Sequence, residues 1–141
     1  MHPRIIRACV SSEPIDVAAL ASDVLVDEAG ALVTFNGVVR NHDGGRAVSG
    51  IEYSAHPTAQ DLVGQVAHDI AARFDVHALA VIHRIGPLTI GQTALGAAVA
   101  SSHRQEGFAA IAALVDEIKA RLPVWKLQRF ADGSHEWSNC P

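Results

Sequence analysis

The sequence lacks most of the devices from which recognisable catalytic and metal sites are built. Its two cysteines, Cys9 and Cys140, lie near opposite ends without a CxxC spacing, so neither a zinc knuckle nor a disulfide framework organises the chain. No GxxxxGK[ST] segment is present, and no GxGxxG follows a strand, which excludes the glycine loops that cradle nucleotide phosphates. The absence of GxSxG removes the usual nucleophile elbow of a serine hydrolase. Eight histidines are present, but none forms HExxH or a close His/Cys cluster, so no metal is expected. No apolar run reaches the roughly 20 residues of a membrane-spanning helix. The N-terminal MHPRIIRACV lacks the layout of a signal peptide, and a cytoplasmic chain without a membrane partner is expected. A formal charge of −4 argues against nucleic-acid binding, so any anion site has to come from a local gathering of Arg, Lys and His.

What is present suffices for one globular unit. Hydrophobic residues make up 49% of the 141, enough for a single core spanning residues 1–141. Ile5 to Val10 reads as a short strand, followed by a helix capped by Asp16 and running through Val24. Ala31 to Val39 is a strong strand, rich in β-branched and aromatic residues. The polar loop from Arg40 to Gly45 leads to a returning strand from Val48 to Ser54, and the two strands are expected to form a hairpin. Thr58 and Asp61 mark a second helix, with Leu62, Val63, Val66, Ile70 and Phe74 facing inward. Ala78 to Ile85 is a strand, Gly86-Pro87 a turn, and Thr93 to Ser101 the next strand. Strands and helices mix without a regular βαβ rhythm. The class is therefore α+β, with a mixed, mainly antiparallel sheet and about three helices.

The stretch Ser101 to Phe130 organises the rest. Ser102 and Gln105 have the spacing of a capping box, which predicts a helix from His103. Phe108, Ile111, Val115, Ile118 and Leu122 recur at the spacing of one buried face. Pro123 ends the helix, and Val124 to Phe130 forms a strand that turns at Asp132-Gly133 into a last strand around Trp137. His103 and Arg104 occupy the first turn, where the helix dipole disfavours cations and favours anions. Such residues beside free N–H groups suit the grip of a phosphate or carboxylate. Lys119 lies at the far end and Lys126 follows the break. Arg40, at the end of a strand, has a planar fork suited to an anionic oxygen pair, or it pairs with a surface carboxylate. His83 alternates with Leu79, Val81 and Ile85 and reads as a satisfied core or interface histidine rather than a ligand, whereas His68 reads as surface.

FNGVVRNHDGG, VIHRIG, SSHR and IKARLPVWK stand in an order and spacing that resembles the large, catalytic subunit of molybdopterin synthase, from about Ala31 to Trp137. The resemblance implies an α/β-hammerhead-like fold and a reaction. Sulfur passes from the C-terminal Gly-Gly thiocarboxylate of a small ubiquitin-like partner to cyclic pyranopterin monophosphate, forming the dithiolene of molybdopterin. It implies Lys119 and Lys126 as catalytic residues. Arg40, His103, Arg104, Lys119 and Lys126, with the backbone of Val38, Val39, Leu127 and Gln128, are the implied substrate-binding set. No metal or cofactor is implied. The chain departs from the family pattern at Val38, where Lys is frequent, at Leu127-Gln128, at His56 for Tyr, at Ala59 for Met, and in a tail that ends at Pro141. The alternatives are a scaffold that binds the sulfur carrier without turnover, or an unrelated phosphate-binding enzyme such as a small phosphatase.

One expectation comes from geometry. His103 and Lys119 lie sixteen positions apart on one helix, roughly 24 Å at the usual rise, longer than a pterin phosphate. A homodimer with shared sites is therefore expected, His103 and Arg104 of one copy completing the Arg40, Lys119 and Lys126 of the other; the resemblance implies that this dimer sits within a heterotetramer.

Overall fold

The computed structural model describes residues 3–138. Cys140 and Pro141 lie outside the described residues. In chain order the elements are β1 (Arg4–Ser11), α1 (Val17–Val24), β2 (Ala31–Val38), β3 (His42–Asp43), β4 (Arg46–Ala55), α2 (Ala59–Arg73), β5 (Ala78–Arg84), β6 (Gly86–Leu88), β7 (Thr93–Ser101), α3 (Arg104–Arg121), β8 (Val124–Phe130) and β9 (His135–Ser138). Three helices and a mostly antiparallel strand set realise the expected α+β class.

The strands form two sheets. The first has the order β1-β5-β7-β2, in which only β1 and β5 run parallel. The second has the order β3-β4-β8-β9, with β6 also paired to β4. The central strands β5 and β7 are almost entirely buried, as expected of strands covered on both faces. On one face α1 packs Leu20 and Val24 against Ala78, Ala80, Ile82, Ala98 and Ala100. Small residues let that helix approach closely; a Cβ on Gly96 would come within 2.8 Å of the Ile15 side chain. On the other face the main core joins α2, α3 and the second sheet through residues such as Val63, Ile70, Leu79, Leu114, Ile118 and Val124. Arg121 on α3 ties the two helices together by donating to Asp69 of α2 at 2.8 Å.

Several local expectations are corrected. The strands β2 and β4 do not form a hairpin: β2 pairs with β7, whereas β4 pairs with β8. The chain leaves β2 through a bulge at Gly37–Val38, and Gly44 and Gly45, both at positive φ, turn only the two-residue β3 onto β4. Gly86-Pro87 is not a simple turn but part of β6, with Gly86 at φ 92° redirecting the chain onto β4. The capping box at Ser102 does not form. His103 is the N-cap, without a side-chain cap bond, and the Ser102 hydroxyl instead pairs with His77 Nε2 at 2.8 Å. Phe108 is 58% exposed rather than buried; Gly107, Ala110, Ile111, Leu114, Val115 and Ile118 make the inner face of α3.

His83 sits in the main layer, 1% exposed, with Nδ1–H donating to the Arg84 carbonyl at 2.8 Å. Burial pushes its pKa from the ordinary 6.5 down to about 4, the Arg84 carbonyl opposing and Lys119 adding to the shift. The unfolded imidazole takes up a proton near 6.5 and the folded one only near 4. Its contribution is therefore complete above about 6.5 and is lost as pH falls towards 4. Urea denaturation from about pH 7 down to pH 4 is expected to show up to roughly 3 kcal/mol of acid-linked destabilisation that His83→Gln removes. An unchanged pH dependence in that variant contradicts the assignment. Gly30 leads into β2 where an added Cβ would lie 2.5 Å from the Ser102 carbonyl oxygen, a backbone atom that cannot swing aside. Gly30→Ala is expected to cost about 1–3 kcal/mol in urea unfolding, and a midpoint equal to wild type refutes the close packing.

Candidate functional site

Three structural features, together with one residue of β7, meet at one cleft of about 220 Å³. The first is the end of β2. Its bulge lets Val39 turn in and donate to the Gln92 carbonyl at 3.0 Å, while the Val39 carbonyl accepts from Gly91 at 2.7 Å. Val38, Val39 and Arg40 thereby line one wall. The guanidinium of Arg40 stays mostly exposed at the lip and donates to Asp43 at 3.1 Å. The pairing with a surface carboxylate is observed, and Arg40 also lines the cleft. A pair this open to solvent is weak, so an incoming anion can compete for the arginine.

The second contribution is the pairing of β4 with β8. The face of β8 that carries Val124 and Phe130 into the core presents Lys126 and Gln128 between them. A bulge between Val48 and Gly50 adjusts β4 so that Ile51 and Tyr53 stand opposite Gln128 and Lys126 in register. All four line the cleft. Leu127 does not: strand alternation turns it to the other face, where it is buried opposite Glu52 and Trp137. The expectation for Leu127 concerns its backbone, which the direction of its side chain does not overturn.

The third contribution is the end of α3. Ile118 and Leu122 anchor the last turn in the core, Leu122 is the C-cap, and the chain passes through Pro123 directly into β8. This tight connection brings Lys119 and Lys126 to the same cleft although they belong to different elements. The two are the only lysines in the sequence. A lysine in the last helical turn also sits favourably against the helix dipole. Ala94 of β7 completes the floor.

His103 and Arg104 are not part of this cleft. They are exposed at the opposite end of the eighteen-residue α3, roughly 25 Å away by helical rise. Ile51, Tyr53 and Ala94 were not anticipated as lining residues; the alternation of β4 carried the signal, but only its pairing with β8 makes it readable. The cleft gathers Arg40, Lys119 and Lys126 with no acidic residue among its lining, a setting for an anionic group. Among the described residues, no three His, Cys, Asp or Glu side chains gather as a metal set. No helix there is long and apolar enough to cross a membrane.

Comparison with known proteins agrees with the motif resemblance. The chain is 37% identical over 124 residues to the molybdopterin synthase catalytic subunit of Nostoc sp., covering 86% of this chain and 73% of that one. It is 33% identical over 129 residues to the Bacillus subtilis subunit of the same name, covering 91% and 82%. Against the Arabidopsis thaliana subunit the figures are 33% over 130 residues, 92% of this chain and 66% of the plant protein's length. The fold superposes on the crystal structure of molybdopterin synthase from Staphylococcus aureus with a TM-score of 0.85, at 29% identity and covering 93% and 96% of the two chains. Residues 10–121 match the family model described as MoaE protein. The chain belongs to the MoaE protein family.

Proposed function

We propose that this chain is the catalytic subunit of a molybdopterin synthase, a cytoplasmic sulfurtransferase of molybdenum cofactor biosynthesis. The observation that carries the reading is the meeting of both lysines of the sequence with Arg40 around one small cleft. The partner is a small ubiquitin-like sulfur carrier whose C-terminal Gly-Gly thiocarboxylate enters that cleft. The acceptor is cyclic pyranopterin monophosphate.

Each residue has a role that its chemistry suits. Lys126, on a rigid strand, holds the anionic tail as a point charge. Lys119 handles the proton or forms a transient adduct as the thiocarboxylate sulfur bonds to a side-chain carbon of the pterin and a carbon–oxygen bond there breaks; water then attacks the acyl carbon, breaking its bond to sulfur and leaving the tail as its carboxylate. Two such transfers, from two carriers, build the dithiolene. Arg40 and the backbone of Val38 and Val39 bind the acceptor. No cofactor or metal takes part in this scheme.

A second copy supplies the rest. His103 and Arg104 are too far along α3 to reach the same substrate molecule from within one chain. Their exposure beside free N–H groups of the helix start suits a phosphate held for the neighbouring cleft. Phe108, one turn beyond Arg104 and 58% exposed, offers an apolar surface that a neighbour would cover. The assembly is then a homodimer of this chain with a carrier at each end, a heterotetramer.

Purified protein mixed with thiocarboxylated carrier and the precursor is expected to yield the dithiolene pterin, read by fluorescence after oxidation. Lys119→Ala is expected to lower the yield by at least about a hundredfold. Mixing Arg104→Ala subunits with Lys119→Ala subunits is expected to restore one working site per mixed dimer. No product from a competent carrier favours a binding scaffold, and no recovery on mixing contradicts the shared site.

A further inference from the structure

Two side chains beneath the lysines have no part in the reaction just described. Tyr53 lines the cleft directly opposite Lys126 in the β4–β8 register, yet is only 8% exposed. A phenol so enclosed keeps its hydroxyl in a hydrogen bond, and the other polar side chains lining the cleft are Arg40, Lys119, Lys126 and Gln128, of which Lys119 is the one whose charge is felt at His83. Behind it lies His83, with ring centroids 4.9 Å apart and planes at 86°. A carbonyl only accepts, so the bond from Nδ1 to the Arg84 carbonyl places the His83 proton on Nδ1 and orients the ring. His83 is too buried to meet a substrate, but its edge-on contact fixes the tilt of the Tyr53 ring.

The choice of neutral groups has a physical reason. A carboxylate at position 53 would hold an ammonium more strongly, but it would cancel the charge that an anionic tail has to find. An imidazolium at position 83 would add a cation beside Lys119 and push it away. A neutral hydroxyl braced by a neutral imidazole orients an ammonium and leaves its charge available.

We propose that Tyr53, braced by His83, is a positioning residue whose hydroxyl sets the Lys119 ammonium in the cleft for the anionic tail. The role given to Lys119 rests on the function proposed above; the placement of its ammonium by Tyr53 does not.

Because Lys119 and Lys126 are the only lysines, acetylation with a small amine reagent and peptide mass spectrometry reads each separately. Tyr53→Phe keeps the ring and removes the hydroxyl. It is expected to change the ratio of Lys119 to Lys126 labelling rates by at least about threefold, and to lower kcat about tenfold with KM for the thiocarboxylated carrier within about twofold. His83→Asn is expected to reproduce that pattern. The double variant should lose no more than the worse single variant, because both act through one ring. An unchanged labelling ratio in Tyr53→Phe, or additive losses in the double variant, overturns the proposal. Should Lys119→Ala retain full turnover, the functional reading fails, and the labelling ratio still decides where Tyr53 acts.

Discussion

Like charges brought together in one small space repel each other, and the site depends on how the fold holds three of them in place. Arg40, Lys119 and Lys126 come from the end of a strand, the end of a helix and the strand that follows that helix. None could gather the others alone. The constraint that binds them is the short passage from α3 through Leu122 and Pro123 into β8, anchored by Ile118, Leu122 and Val124 in the main core. Burial of those apolar side chains, each contributing on the order of 1.5–3 kcal/mol, outweighs the repulsion of partly solvated cations at the cleft mouth. Asp43 at the lip softens the charge of Arg40 without entering the lining.

The two-sheet arrangement gives that passage its rigidity. One sheet lies between α1 and the main core, with strands β5 and β7 buried throughout. The other sheet contributes Ile51, Tyr53, Lys126 and Gln128 from adjacent strands in fixed register, so their spacing is set by backbone hydrogen bonds. The bulges at Gly37–Val38 and Val48–Gly50 are what aim the lining residues inward. The sulfur transfer proposed above would gain from such a surface, because the attracting groups need no rearrangement when the second partner arrives.

Much of this was legible in the sequence. The Asp16 cap of α1, whose carboxylate accepts from the Ala19 N–H, could be read from residue type and position. The bounds of β7 and β8, the break at Pro123 and the Asp132-Gly133 turn were equally plain. The hairpin expected between β2 and β4 failed because adjacency along the chain stood in for pairing, and nothing local shows that β2 pairs instead with a strand some sixty residues later. The capping box failed because His77, distant in sequence, takes the Ser102 hydroxyl. Phe108 fitted the helical period and still faces outward, since Gly107 and Ala110 occupy the side that approaches the sheet. At the site, Arg40, Lys119 and Lys126 stood out as charges at element ends. Tyr53 and Ile51 did not, because their meaning depends on which residues of β8 face them.

In the proposed reaction the two lysines serve one anionic tail in one cleft. Nuclear magnetic resonance of the two lysine side chains during titration with a peptide ending in Gly-Gly thiocarboxylate tests it most directly. Both lysine signals are expected to shift with a common midpoint, and Arg40→Ala, which removes a contact to the acceptor rather than to the tail, should leave that midpoint unchanged. Signals that shift at different concentrations, or a peptide that binds while leaving both unmoved, would contradict a shared site.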